Sequence, residues 1–369
     1  MFWEMDVEGH RAALGSISDF LLSVFAFAAS KEDGGFQRKE WLDYAGAQDG
    51  EWFYELYVRD TKNGQSMREA LDELFGMDRA RREAIHEAIR HDMGFANFHG
   101  AEFTFWTTDL PAKERKVIRD FYLYFYQVVL CTAHFRLHGI TGPYGRGQFA
   151  QQFFERAKNR TIRRVCPVCL QTMTDGMEEG EVEHYFAKSA VPCLALHPFN
   201  LYFCCPTCNK RYKGDKSPFS GGKKELKRIF LPYLDTVRDQ VRIGFEMDKK
   251  AGEEKVRLDP VDPKEEYIRE KIRAFDHLFD LKKRWSGQLE GYYMEKMQWY
   301  RHKNPETVEA LRAEMEEDIE RGKSSLNISP RGYLETEYLE WLCSSQLKAF
   351  YSNIKQTDRT PVILGRTDS

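Results

Sequence analysis

The sequence predicts an α+β protein that is mainly helical and contains one small unit held together by zinc. Two observations predict this fold. Long stretches on both sides of the middle of the chain carry apolar residues at helical spacing. Between them, two Cys-x-x-Cys pairs at 166–169 and 205–208 have the spacing of ligands for one tetrahedral ion. A zinc ion can stabilise such a short segment because metal binding there contributes directly to folding.

The chain has 369 residues, of which 42% are hydrophobic and 31% are charged, so it is not a disordered protein. We divide it into an N-terminal mainly helical domain (1–147), a central domain (148–230) and a C-terminal region with a hairpin and helices (231–369). The overall net charge is only −3, yet residues 151–230 hold 14 Lys and Arg against 8 Asp and Glu. This local excess of positive charge favours phosphate binding in the central domain.

The first predicted element is a buried helix over residues 12–29, which are almost entirely apolar. The residues before it are acidic, whereas a signal peptide begins with basic residues. Asp19 would also lie in the middle of a membrane span, where a charge is costly. We therefore expect a cytoplasmic protein that does not contact a membrane.

Further helices are predicted over Met67–Arg90 and Pro111–Leu137, which are rich in helix-forming and apolar residues. The stretch Gly139–Gly147 contains four glycines and a proline, so a boundary is expected there. Another helix is predicted over Phe149–Lys158.

Two short strands are predicted in the central domain, near Val182–His184 and Asn200–Phe203, followed by a helix that begins near Pro206. The predicted strands carry an acid–histidine pair, Glu183-His184, and an asparagine, Asn200. Another asparagine directly follows the second cysteine pair. Zinc binding accounts for the cysteines alone, and the other polar residues indicate a chemical role.

The C-terminal region predicts a β-hairpin, with alternating apolar residues over 241–245 and again over 256–258 and a turn at Ala251-Gly252. Helices are predicted from Pro263 onward, and the residues after Gln356 are predicted to be a loose tail. The other cysteines, Cys131, Cys193, Cys204 and Cys343, are too scattered to indicate a disulfide framework. We assign Cys205 rather than Cys204 to the second pair because it preserves the two-residue spacing.

The segment from Cys166 to Lys216 resembles an HNH endonuclease domain, a ββα-metal unit, with the additional four-cysteine zinc site. The residues that carry the resemblance are Cys166, Cys169, Glu183, His184, Asn200, Leu201, Cys205, Cys208, Asn209 and Lys213. The match covers about 50 of the 369 residues. Glu183 stands where aspartate is commoner in the family.

The resemblance implies a metal-dependent enzyme that hydrolyses phosphodiester bonds. His184 would be the general base that activates water. Glu183 and Asn209 would hold one Mg²⁺ or Mn²⁺ ion, and Asn200 would brace the loop or orient His184. A structural zinc ion would be held by Cys166, Cys169, Cys205 and Cys208.

We expect the substrate to be nucleic acid, with DNA as the first choice. The predicted contacts to its backbone are Lys188, Lys210, Arg211, Lys213 and Lys216. An alternative is a non-catalytic zinc-ribbon module that binds nucleic acid or protein, which would not require the acid, the histidine or the asparagines. A further hypothesis makes the chain the effector of a bacterial anti-phage defence system, held inactive until a partner protein signals.

Overall fold

The computed structural model describes residues 2–32, 35–59, 67–155, 165–173, 180–219, 224–248, 253–326 and 332–356. Over these ranges the protein is mainly helical and contains two two-stranded antiparallel sheets. At this level the α+β prediction is confirmed. The predicted tail after Gln356, the turn at Ala251-Gly252 and the end of the helix predicted to reach Lys158 lie outside the described residues.

The α-helices of the described chain are α1 (Glu8–Ser30), α2 (Arg38–Ala45), α3 (Ala47–Arg59), α4 (Met67–Phe75), α5 (Arg79–Met93), α6 (Ala112–Tyr124), α7 (Arg146–Glu155), α8 (Val237–Gln240), α9 (Ile268–Phe279), α10 (Leu281–Lys303), α11 (Val308–Ser325), α12 (Gly332–Trp341) and α13 (Leu347–Lys355). The strands are β1 (Glu181–His184), β2 (Leu201–Cys204), β3 (Val241–Asp248) and β4 (Glu253–Pro260). Three further segments are π-helical, Phe125–Ala133, Thr207–Lys213 and Leu342–Gln346.

Helix α1 is the one helix among the described residues that is long and apolar enough to cross a membrane, but most of its apolar stretch is buried inside the protein. Two of its polar side chains bind the backbone of the loop that precedes β2. His10 Nε2 lies 3.2 Å from the carbonyl oxygen of Pro198, and Ser18 Oγ donates to Leu196 O over 3.2 Å. These contacts make α1 a core helix that supports the central domain, as predicted.

The single helix predicted over Met67–Arg90 is wrong, because two helices occupy this stretch. Helix α4 ends before Gly76, and Asp78 begins α5 as an N-cap whose side chain accepts from Arg81 N over 3.0 Å. Aspartate is a favoured N-cap because it pairs an amide that has no partner within the helix. Gly76 followed closely by the cap Asp78 is therefore a signal for a helix break that is present in the sequence.

The helix predicted over Pro111–Leu137 also differs, because α6 passes into the π-helical segment Phe125–Ala133. The wider turn is visible in the bond from His134 N to Val129 O, 2.6 Å across five residues. His134 then adopts a left-handed conformation with φ of 59° and ends the segment. Gly145 packs against this histidine ring, where a side chain would collide with it. Helix α7 therefore begins directly beside the end of the π-helical segment.

Strands β1 and β2 form the predicted hairpin of the central domain, with Glu183 opposite Tyr202 and His184 opposite Leu201. The helix predicted near Pro206 is a short π-helical turn, Thr207–Lys213, in which Gly214 N donates to Asn209 O over 2.8 Å. This turn places its polar side chains against one side of β1.

The hydrophobic core is continuous across all three predicted parts of the chain. Trp285 of α10, for example, packs its ring edge-on against Phe2, with 4.9 Å between ring centroids. The second predicted hairpin is confirmed as β3 and β4, which pack on α12 and α10, respectively. Both flanks also contact the central domain, since α6 packs on residues 192–194 and α9 on the π-helical turn Thr207–Lys213.

Candidate metal centre and active site

The four cysteines of the two Cys-x-x-Cys pairs, which we call knuckles, are brought together as the spacing predicts. Their sulfur atoms lie within 4.8 Å of one another, with 3.8 Å both from Cys166 to Cys208 and from Cys169 to Cys205. Four sulfurs at about 2.3 Å from a tetrahedral zinc ion would be about 3.8 Å apart. All four residues are buried. Among the described residues this is the one group of three or more His, Cys, Asp or Glu that could hold a metal ion, and a structural zinc fits it.

Donors from several elements face the sulfur atoms, as expected for thiolates that carry negative charge. The backbone amide of Cys205 lies 3.5 Å from Cys166 Sγ, and the amide of Cys208 lies 3.4 Å from Cys205 Sγ. Hydrogen bonds from the neighbouring cysteine thiols lower the pKa of Cys205. Arg284 of α10 donates to Cys208 Sγ over 3.2 Å and supplies positive charge. Cys204 is buried in β2 and is not a member of the group.

Side chains alternate across β1, so its two glutamates and its histidine face different sides. Glu181 accepts from Asn209 Nδ2 over 2.8 Å and from Lys210 Nζ. Glu183 accepts from Lys213 Nζ over 3.0 Å. The π-helical turn thus places one asparagine and two lysines against the two carboxylates.

The pair formed by Glu183 and Lys213 is largely shielded from solvent. The Lys213 side chain is 0% exposed and that of Glu183 is 13% exposed. Burial raises the pKa of Glu183, and the charge of Lys213 opposes this shift. We predicted Lys213 as a contact to nucleic acid, but here its ammonium group faces Glu183 and the carbonyl oxygen of Gly214.

His184 lies on the other side of β1, where its ring packs edge-on against Tyr126 of the π-helical segment, 4.4 Å between centroids. Its Nε2 atom is 3.0 Å from the carbonyl oxygen of Ala195. A carbonyl can only accept, so Nε2 carries the proton and Nδ1 carries the lone pair. Nδ1 makes no hydrogen bond to any described residue. Burial, followed by the charge of Lys188, lowers the pKa of His184 to about 3.

Asn200 is fully buried and connects both ends of the loop between β1 and β2. Its side chain accepts from Phe186 N over 2.7 Å and donates to Leu194 O over 2.9 Å. Leu194 directly precedes Ala195, whose carbonyl oxygen holds the His184 ring. Asn200 thus holds the loop segment from which the Ala195 carbonyl contacts His184.

The remaining predicted contacts to nucleic acid have different surroundings. Lys216 donates to His277 O over 3.0 Å, and the Arg211 guanidinium lies 5.6 Å from the centre of the ring of its neighbour Tyr212. Lys188 places its ammonium 5.0 Å from the centre of the Tyr126 ring. Of these residues, Lys188 is the one that lies beside His184.

Sequence reasoning missed two residues of this site, Glu181 and Tyr126. Glu181 directly precedes the strand predicted near Val182–His184, and period-two alternation places it on the same face as Glu183. That signal was sufficient to find Glu181. Tyr126 lies in a run of aromatic residues predicted as helix core, and its contact with His184 depends on how distant segments pack.

No protein-family model, no curated protein and no solved structure significantly matches this chain. The functional argument therefore depends on the geometry of the site.

Proposed function

We propose that this protein is a metal-dependent endonuclease that hydrolyses phosphodiester bonds of nucleic acid, with DNA as the expected substrate. The observation that supports this most directly is the fixed imidazole of His184. Its Nε2–H is held by Ala195 O, and its Nδ1 lone pair is not used by any described residue. A neutral, oriented imidazole at the end of the strand that also carries Glu183 is suited to take a proton from water.

In the proposed reaction, water attacks phosphorus, its proton moves to Nδ1 of His184, and the bond to the leaving 3′-oxygen breaks. A histidine with a pKa near 3 is a weak base, because Lys188, Lys213 and Arg146 add to the effect of burial. An anionic phosphate beside these cations would offset their charge and raise the pKa of His184. The substrate would thereby strengthen the base that acts on it.

Glu183 and Asn209 offer oxygen atoms of the kind that Mg²⁺ prefers. Asn209 uses its amide nitrogen toward Glu181, which leaves its carbonyl oxygen for a ligand. Two protein ligands suit an ion that retains several waters. Bound there, the ion would supply positive charge to the developing negative charge on the leaving oxygen. The Lys213 ammonium would compete with it for the same carboxylate.

The test is incubation of the purified protein with plasmid, linear duplex, single-stranded DNA and RNA, with Mg²⁺, Mn²⁺ or neither. We expect His184→Ala to lower cleavage about a hundredfold or more, the usual scale for losing a general base. Zinc content and nucleic-acid affinity should be unchanged. His302→Ala, on the exposed end of α10, is the matched control. Equal cleavage by wild type and His184→Ala would refute the mechanism.

A non-catalytic binding module is the second candidate, and one observation favours it. Both carboxylates on β1 are already paired with lysines, Glu181 with Lys210 and Glu183 with Lys213. Such pairs could be purely structural. This candidate predicts that the wild type binds nucleic acid or protein but cleaves no substrate under any metal condition, including in the presence of an activating partner protein.

A further inference from the structure

Two cations near His184 form no direct ion pair with a described carboxylate, in contrast to Lys210 and Lys213. Lys210 and Lys213 are paired with Glu181 and Glu183. Arg146 and Lys188 form no ion pair with any described carboxylate within 4.0 Å; Lys188 instead faces the ring of Tyr126. The charge of Lys188 acts on Glu183 only from a distance, and a cation outside a direct ion pair is available for an anionic ligand.

Arg146 is brought to the site by the end of the π-helical segment. Phe135 and Tyr144 exchange backbone hydrogen bonds of 2.8 and 2.9 Å, and this bridge brings the chain back to the start of α7. Arg146 is the first residue of α7, is exposed, and its Nη1 lies 4.0 Å from Cys131 Sγ. Cys131 in turn donates to the carbonyl oxygen of Tyr126 over 3.4 Å.

Tyr126 lies between Lys188 and the histidine, and its backbone oxygen accepts from Cys131, the neighbour of Arg146. Its ring contacts His184 and carries Lys188 above its face. Arg146 and Lys188 both act on His184, since each contributes to lowering its pKa after the larger effect of burial. Burial raises the pKa of Tyr126 to about 12, so its phenol remains protonated and does not compete as an anion.

We propose that Arg146, which lies beside Cys131, and Lys188, which lies over the Tyr126 ring, form a binding site for a backbone phosphate of the nucleic-acid substrate. The site combines a residue of the N-terminal helical part with one of the central domain. Arginine offers a planar, bidentate grip on phosphate, and lysine adds a mobile point charge. The inference deepens the proposed function, since it names the contact that brings the scissile strand to His184.

The test measures binding of a short labelled duplex and of its single strand by fluorescence anisotropy, without Mg²⁺ or Mn²⁺, over a range of salt concentrations. Arg146→Gln and Lys188→Gln should each weaken binding about tenfold and reduce the slope of log affinity against log salt by about one. Arg115→Gln and Lys264→Gln remove the same charges from exposed positions elsewhere and should change neither quantity by as much. Thermal melting and zinc content should match the wild type in all four variants.

The outcomes separate this inference from the proposed activity. Variants at 146 and 188 that bind like their controls overturn the phosphate site, even if the wild type cleaves. Wild-type binding that depends on both residues without cleavage supports the phosphate site and refutes the nuclease. Inorganic phosphate or a mononucleotide that competes as well as the oligonucleotide, at equal phosphate concentration, would overturn the assignment to a nucleic-acid strand.

Discussion

His10, His184 and His197 are buried and held in the neutral form. Burial lowers the pKa to about 4 for His10, about 3 for His184 and about 4 for His197. A histidine whose pKa is lower in the folded state binds fewer protons than it does in the unfolded chain. Its stabilising contribution is present above about pH 6.5 and is lost as the pH falls toward the folded value.

We therefore predict that the protein loses stability on mild acidification, by about 2 kcal/mol per buried histidine between about pH 7 and pH 5. The matched variant is His10→Gln, which retains a donor for Pro198 O but does not titrate. Carboxylates common to both proteins cancel in the comparison. Between about pH 7 and pH 5, the free energy of unfolding of His10→Gln, measured in urea, should fall by about 2 kcal/mol less than that of the wild type. If the free energies of unfolding of the two proteins depend on pH in the same way, His10 titrates normally in the folded protein.

The effect of a substitution at Glu183 on stability depends on its buried ion pair with Lys213. Removing one member of such a pair leaves a buried charge without its partner and costs about 3 to 5 kcal/mol. We predict that Glu183→Ala destabilises the protein by about this amount, through the stranded Lys213 ammonium. The double variant Glu183→Gln, Lys213→Met should recover much of the loss. Additive effects of the two single changes in urea unfolding would contradict the coupling.

At the scale of elements, the start of β1 depends on Gly180. A side chain there would overlap with the ring of Phe203, which packs across the strand pair. Gly15, inside α1, has open space around the same position. The two glycines therefore offer a matched comparison between a strand and a helix.

We predict that Gly180→Ala destabilises the protein by about 2 kcal/mol or more, since overpacking a rigid aromatic contact forces the backbone to move. Gly15→Ala should be neutral or stabilise by up to about 1 kcal/mol, because alanine favours a helix more than glycine does. Thermal unfolding of both variants checks the pair. A harmless Gly180→Ala would mean that Phe203 can turn away.

Several elements were predictable because their signals are local. The cysteine knuckles, the hairpin of β1 and β2, and the apolar helix α1 each follow from spacing or periodicity within a short stretch. The break between α4 and α5 was also readable from Gly76 and Asp78. The π-helical segments were not, because a wider turn depends on contacts made by the folded chain rather than on composition.

The placement of Tyr126 beside His184 could not be predicted either, because it depends on contacts between distant segments of the chain. Roughly sixty residues separate Tyr126 from His184 along the chain, and no spacing rule relates them. Their proximity follows from the position of α6, its π-helical extension and α7 around the central domain. A site assembled from separate segments is visible only in the fold.

For the whole molecule, the cysteine group joins three distant parts of the chain. Trp3 N donates to Pro167 O over 2.9 Å, Arg284 donates to Cys208 Sγ, and Trp285 Nε1 donates to Cys169 O over 3.3 Å. We predict one zinc ion per chain, and we expect its removal to loosen the N-terminal segment and α10 as well as the knuckles. Elemental analysis and hydrogen exchange at Trp3 and Trp285, with and without a strong chelator, measure this.

Cys166→Ser should reproduce the effect of the chelator, whereas Cys131→Ser, outside the group, should not. A protein without zinc would refute the metal centre. If zinc removal makes hydrogen exchange faster only in the two knuckles, the apolar core alone holds the flanks in place.

The groups that contact the cysteines come from distant parts of the chain, so they become available at different times during synthesis. A ribosome releases the central domain well before Arg284 and Trp285, and domains generally fold from the N-terminal side as the chain emerges. The nascent central domain would lack two of the groups that surround its sulfurs until α10 has left the ribosome. The four cysteine ligands themselves emerge before α10, so the metal centre would form first and the donors that surround it would be completed last.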